Sequence, residues 1–224
     1  MIPEPRLTAA ALVFVTDLDS PELSEADAHH LGRVLRLRDG AAVCAADGLG
    51  GWRLCTFRTR GELEATEQTG DTAGDGPSLT VGLALVKADK PDLVVQKLTE
   101  LGVDRVVFFA ARRSVSRWHE DKVERNLARL RKVARSACEQ SRRLVLPMIE
   151  IGDLPTLLAA GAVVADFGGR PLEPADRTVL VGPEGGWDNG EYGDAPVVDL
   201  GPNVLRAETA AIAVAARMCA MARP

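Results

Sequence analysis

The sequence predicts an α/β domain with a largely parallel sheet, preceded by a small β-rich barrel that carries one helix. Three observations predict it. From residue 79 onward, short apolar runs alternate with helical periodicity, the pattern of successive βα units. A break at Thr69–Ser78, with three glycines, a proline and no apolar period, separates this region from what precedes it. Before the break, short strand patterns dominate.

In chain order, Leu12–Val15 and Ala41–Ala45 read as strands, as do Trp52–Thr59 and Glu62–Thr69 around the Arg60-Gly61 turn. Ser24–Leu37 reads as a helix opened by the capping pattern Ser24-x-x-Asp27. Its spacing puts Leu31, Val34 and Leu35 inward and His29, Arg33 and Arg36 on the opposite face. Beyond the break, Leu79–Val86 is a buried strand, followed by a helix over Pro91–Leu101 with proline in its first turn and Gly102 at its end. Arg105–Phe109 is the next strand. Glu120–Arg142 is a long helix with Val123, Leu127, Leu130, Ala134 and Ala137 on one face. Val145–Ile151, Ala162–Asp166, Thr178–Gly182 and Pro196–Leu200 are short strands, and Arg206–Ala222 is an alanine-rich helix. The expected division is residues 1–72, a linker at 73–78, and a second domain over 79–224.

A net charge of −5 over 224 residues argues against a generally basic nucleic-acid binder. Residues 105–143, however, hold 12 basic and 4 acidic groups, a local balance of +8. Charge alone leaves a phosphate-recruiting surface and a solvated helix face equally open. No apolar run approaches the roughly 18–20 residues of a membrane span, and Met1-Ile-Pro-Glu-Pro5 has no basic leader segment. Cys44, Cys55, Cys138 and Cys219 lack C-x-x-C spacing, and His29, His30 and His119 are scattered. The expectation is a cytoplasmic protein with reduced thiols, no metal and no membrane partner.

Three late segments rich in glycine and proline follow strand patterns: Asp166–Arg170, Gly182–Trp187 and Leu200–Arg206. In open parallel sheets, ligands bind where such loops converge at the carboxyl ends of strands. Glycine lets backbone groups approach a ligand without a Cβ in the way, which suits a pocket gripping an adenine and a ribose. The sequence lacks G-x-G-x-x-G after its first strand, G-x-x-x-x-G-K-[ST], and G-x-S-x-G. Dinucleotide, nucleoside-triphosphate and α/β-hydrolase readings are therefore weak.

The chain resembles the RsmE family of small-subunit rRNA methyltransferases. The resemblance is carried by His29–Arg36, Gln96–Val103, Arg113–Val115, Glu139–Arg142, Gly182–Gly186 and Leu200–Ala210. It departs from the family at Phe108, where proline is usual, and at the glycine-rich Asp166–Gly169. The resemblance implies a PUA-like RNA-binding β-barrel followed by a SPOUT domain with a C-terminal trefoil knot, acting as a homodimer. It implies S-adenosyl-L-methionine as cofactor and small-subunit (16S) rRNA as substrate, methylated at uridine N3 within the assembled small ribosomal subunit.

Carried over residue by residue, the resemblance assigns the cofactor to Gly182, Gly185, Gly186, Leu200, Gly201, Asn203, Val204 and Leu205. A protonated uridine N3 is a poor nucleophile, so the reaction needs a base or a cation that stabilises charge spreading onto the carbonyl oxygens. Arg206 is the expected cation, with pairing to Glu208 or another carboxylate as its structural alternative. Glu184 is expected either to accept the N3 proton or to orient the base, with capping of its own glycine loop as an equal alternative. Arg33, Arg36, Arg112, Arg113 and Arg117 are the expected RNA contacts, which position the phosphate backbone rather than read sequence. Two other readings stay open: a ribose 2′-O-methyltransferase of the same superfamily, and a non-catalytic RNA-binding or assembly module.

Overall fold

Strand patterns read from the sequence become two separate sheets, in a computed structural model that describes residues 4–72, 76, 78–85, 90–114 and 118–222. The chain divides into two compact units, Met1–Asp75 with Cys138–Leu146, and Gly76–Ala137 with Pro147–Pro224. A single boundary at 73–78 does not foresee that Cys138–Leu146 belongs with the first unit.

The first unit opens with α1 (Pro5–Thr8), β1 (Ala11–Phe14) and α2 (Glu25–His29), followed by β2 (Ala42–Ala46), β3 (Gly51–Arg58) and β4 (Glu62–Asp71). The sheet runs β1-β2-β3-β4, with β1 parallel to β2 and the remaining pairs antiparallel. The expected barrel is not closed by strand pairing, since β1 and β4 do not pair among the described residues. Alternate residues enter opposite faces, as a pleated strand requires. Leu12, Phe14, Cys44 and Trp52 pack with Cys138 and Leu144, whereas Val13, Val43, Cys55 and Phe57 pack with Leu31.

Ser24 caps α2 as its sequence pattern predicts, accepting a hydrogen bond from the Asp27 backbone N–H at 3.1 Å. The helix then changes type. His30–Val34 forms a π-turn, closed by Leu35 N–H donating to the His30 carbonyl at 2.9 Å. The wider turn shifts the register by a residue, so Leu31 is buried while Val34 and Leu35 are 59% and 44% exposed. That overturns the expectation that all three face inward. Arg142, at φ +62°, donates to the carbonyls of Ala9 and Ala10 at 3.0 and 3.1 Å and holds that backbone in place.

The second unit holds β5 (Thr80–Ala84), α3 (Lys90–Leu101), β6 (Arg105–Phe109), α4 (Glu120–Ser141, whose last turn is counted with the first unit), β7 (Met148–Ile151), α5 (Leu154–Ala159), β8 (Val163–Arg170), β9 (Thr178–Val181), β10 (Val197–Val198) and α6 (Ala207–Ala222). Its six strands are all parallel, in the order β10-β8-β9-β5-β6-β7. Valine and leucine on both faces of β5 and β6 explain their continuous apolar runs, because helices cover each side. One face packs Val81, Leu83 and Phe108 against α3, α4 and α6. The other packs Val107, Phe109 and Leu180 against Leu154 and Leu157 of α5. Of the expected strand Leu79–Val86, Val86 lies outside the described residues. No helix among the described residues is long and apolar enough to cross a membrane.

The segment Asp166–Arg170, expected as a loop, is instead the end of β8. Val197 pairs with Val164 but Val198 pairs with Arg170, so residues 165–169 arch outward between consecutive pairs. Glycine makes the arch passable: a Cβ at Gly169 would stand 2.5 Å from the Val197 carbonyl group.

Candidate active site

Carboxyl ends of parallel strands are where loops with unpaired backbone groups gather. Here the arch of β8 and the loops after β9 and β10 meet the first turns of α6, enclosing a cleft of about 150 Å³. Its apolar walls come from Val181, Leu200, Leu205, Ala207, Ala210 and Trp187, and its charged groups are Asp166, Glu184 and Asp199.

Trp187 is fixed from three sides. Its ring stacks on Phe109 at 6.0 Å and meets the edge of Tyr192 at 5.6 Å, and its indole N–H donates to the Ala165 carbonyl at 3.1 Å. Gly182 leaves room for it, because a Cβ there would lie 2.8 Å from the indole. Asp166 accepts from the Tyr192 hydroxyl at 3.0 Å. Burial, and then that carboxylate, push the Tyr192 phenol above its ordinary pKa. Asp199 accepts from the Gly201 N–H at 2.6 Å, shaping the loop that follows β10.

Seven of the eight residues assigned to the cofactor line this cleft: Gly182, Gly186, Leu200, Gly201, Asn203, Val204 and Leu205. Gly185 does not; it faces the side chain of Arg113. Glu184 lines the cleft and accepts from Lys90 Nζ at 2.8 Å. Arg206 stands just before α6, exposed and not among the lining residues, and its side chain has no hydrogen-bond or ion-pair partner among the described residues. Its expected structural alternative does not form: Glu208 is paired with Lys90 at 3.3 Å instead.

The expected RNA contacts divide into two groups. Arg112 and Arg113 are 3.6 and 2.9 Å from Asp188, which offsets much of their charge. Asp188 is held below the usual carboxylate range, first by the Asn189 N–H and then by Arg113. Arg33 and Arg36, in the first unit, are exposed without an ion-pair partner among the described residues, and Arg36 sits at φ +52°. Arg117 lies outside the described residues. No group of three or more His, Cys, Asp or Glu capable of holding a metal occurs among the described residues.

Sequence reasoning did not single out Lys90, Asp199 or the Asp166–Tyr192 pair. Lys90 lies 94 residues from Glu184 along the chain, and no local spacing signals such a meeting. For S-adenosylmethionine the donor set fits. Apolar walls suit the flat adenine, and three carboxylates, with no Lys or Arg among the described lining residues, suit a cationic sulfonium and ammonium.

An RNA methyltransferase domain model matches residues 75–219, and an RNA methyltransferase PUA domain model matches residues 23–67. The chain is 32% identical over 207 residues to ribosomal RNA small subunit methyltransferase E of Mycobacterium bovis, covering 81% of this chain and 79% of that one. It is 26% identical to the protein of the same name from Bacillus subtilis, covering 82% and 83%. Among solved structures, ribosomal RNA small subunit methyltransferase E of Neisseria gonorrhoeae, bound to S-adenosyl methionine, superposes with a TM-score of 0.78 at 25% identity, over 94% of this chain and 97% of that one. A methyltransferase from Legionella pneumophila solved with SAM shares the fold, with a TM-score of 0.80 at 22% identity over 93% and 96%.

Proposed function

This chain belongs to the RNA methyltransferase family that includes ribosomal RNA small subunit methyltransferase E, and from that premise we propose that it methylates N3 of a uridine in small-subunit (16S) rRNA with S-adenosylmethionine as donor. The observation that carries the reading is the cleft at the ends of β8, β9 and β10, with Glu184 on its wall and Arg206 just before α6, between the lining residues Leu205 and Ala207. When bound, S-adenosylmethionine supplies an electrophilic methyl group whose bond to sulfur breaks with the electron pair left on sulfur.

The chain supplies the rest. Glu184 takes the N3 proton, freeing the lone pair that forms the new N–C bond. Arg206 opposes the negative charge that spreads onto the uracil carbonyl oxygens. The seven cleft-lining residues assigned above hold the cofactor, and Gly185 keeps the loop beside Arg113. Trp187 and the apolar walls orient the reactants, and positioning supplies much of the acceleration. Arg33 and Arg36 engage the phosphate backbone, with Arg112, Arg113 and Arg117 as further contacts.

The same reading extends to architecture. We assign a PUA-like RNA-binding domain to residues 1–72 and a SPOUT domain with a trefoil knot to 79–224. The strand order β10-β8-β9, in which the chain leaves β9 and passes to the far side of β8, supports the knot. Exposed Val204 (85%) and Phe167 (59%) at the cleft support a homodimer. The enzyme acts on the assembled small subunit during ribosome biogenesis, in the cytoplasm, a compartment in line with its four free, buried cysteines.

The test uses radiolabelled S-adenosylmethionine and small subunits from cells lacking the modification, followed by nucleoside digestion. Label in 3-methyluridine is expected. Label in a 2′-O-methylated nucleoside, or no label despite cofactor binding, overturns the proposal.

A further inference from the structure

Glu184, the proton acceptor in the reading above, has a partner which that reading leaves without a role. Lys90 opens α3 and donates from Nζ to Glu184 Oε1 at 2.8 Å, while its ammonium also lies 3.3 Å from Oε2 of Glu208 in the first turn of α6. Three segments far apart in sequence thus meet at one cation. The Glu208 side chain is only 13% exposed, and its Oε2 has no hydrogen bond, only this ion pair. Two carboxylates so close to one ammonium repel each other once it is removed, and a partly buried one then loses its compensation. Lys90 is 30% exposed, and the hydrogen bond to Glu184 is the largest cause holding its ammonium above its ordinary pKa. Arg113, whose guanidinium reaches the carbonyl of the neighbouring Gly185 at 3.5 Å, is itself paired with Asp188.

We propose that Lys90 is a positioning residue for the methyl transfer: it fixes the Glu184 carboxylate at the cleft wall and offsets the joint charge of Glu184 and Glu208, so that Glu184 meets the uridine N3–H ionised and aimed. Lys90 acts through Glu184 and neither gains nor loses a proton in the step. This rests on the reading of the cleft as a uridine-N3 methyltransferase site. It assigns to Lys90 a task that Arg206 does not share, since the Arg206 side chain has no partner among the described residues whereas Lys90 is committed to two carboxylates.

The experiment compares full-length wild type, Lys90→Met, Lys90→Arg and the double variant Lys90→Met/Glu208→Gln on small subunits lacking the modification. Cofactor Kd is read by calorimetry, KM for subunits and kcat by 3-methyluridine formed, and folding by thermal melting. Lys90→Met is expected to lower kcat about 10²-fold, the scale of a lost proton-transfer contribution. Cofactor Kd and subunit KM stay within about twofold, well under the tenfold that 1.4 kcal/mol represents. Lys90→Arg restores most of the loss. In the double variant the repulsion is relieved, so a purely structural bridge recovers activity, whereas a positioning residue leaves kcat low in a folded protein. Wild-type turnover in Lys90→Met or in the double variant overturns the inference, as does a kcat loss matched by an equal loss of cofactor affinity. If wild type itself forms no 3-methyluridine, the functional reading fails first and this inference with it. If wild type does and the double variant equals it, only the role of Lys90 fails.

Discussion

Gly182→Ala tests the cleft through a single methyl group. The new Cβ would stand 2.8 Å from Trp187 Cε2 and 2.9 Å from Nε1, inside any real contact distance, so either the indole or the 182–186 loop must move. If the indole moves, it gives up its hydrogen bond to the Ala165 carbonyl, worth about 1 kcal/mol net. It also loses part of the stack on Phe109 and the edge contact with Tyr192, each worth about 0.5–1.5 kcal/mol. If the loop moves instead, overpacking costs about 1–3 kcal/mol. Both routes lead to a destabilisation of about 1–3 kcal/mol. Both also disturb the cleft wall, so cofactor affinity falls by at least about tenfold, equivalent to 1.4 kcal/mol. The chain has two units, so one global unfolding curve does not report the change cleanly. Hydrogen exchange across β9 and its loop reads local stability, and calorimetric titration with S-adenosylmethionine reads affinity. In a Trp187→Phe background the methyl should cost less than half as much, because the clashing indole atoms are gone. Refutation would be a Gly182→Ala protein with exchange within about 0.5 kcal/mol of wild type and unchanged affinity.

Three further predictions concern charge. Arg206→Ala should keep cofactor affinity and lower kcat by about 10²–10³-fold, the cost of one lost electrostatic donor; full activity removes it from the chemistry. Arg33→Glu with Arg36→Glu should weaken subunit binding, leave cofactor affinity alone, and reduce the slope of log affinity against log salt by about 2. If neither quantity moves, those side chains do not touch RNA. Asp176 is buried and paired through both oxygens with Arg170, which is the first cause of its lowered pKa. A depressed folded pKa means stabilisation present above the ordinary carboxylate value of 3.8 and lost as pH falls through the lower, folded value. Asp176→Asn should therefore be less stable than wild type by a constant margin at neutral pH, and the margin should close under acid. A margin still unchanged near about pH 2 contradicts the linkage.

Where local chemistry decides, the sequence was readable. The alternation of Val106–Phe109 with the period of Leu127, Leu130 and Ala134 gave β6 and α4 nearly to the residue. Ser24 and Asp27 marked a helix start that their hydrogen bond confirms. Failures came where distant parts of the chain decide. No residue pattern announces the π-turn at His30–Val34, which exposes Val34 and Leu35. Glycines at 168 and 169 look like a loop until β10 is seen to pair with Arg170 beyond them. Short helices at Pro5–Thr8 and Leu154–Ala159 are too brief to carry a period. At the cleft, the glycine loops read from the sequence do converge, with seven of their eight named residues on its walls, whereas Lys90 reaches Glu184 from α3 by tertiary folding alone.

Every described residue that lines the cleft lies between Ala165 and Ala210, and its walls include the first turns of α6. During synthesis the chain emerges from its N-terminal end. A nascent polypeptide therefore passes through most of its length, including β5 to β7 and the long α4, before any of the described cleft walls exist. Those walls are complete only once the chain has been made as far as Ala210, in the first turn of α6. A product broken off before residue 200 lacks both the cleft wall from Leu200 to Ala210 and the α6 residues Ala211, Val214 and Met218 that bury one face of the sheet.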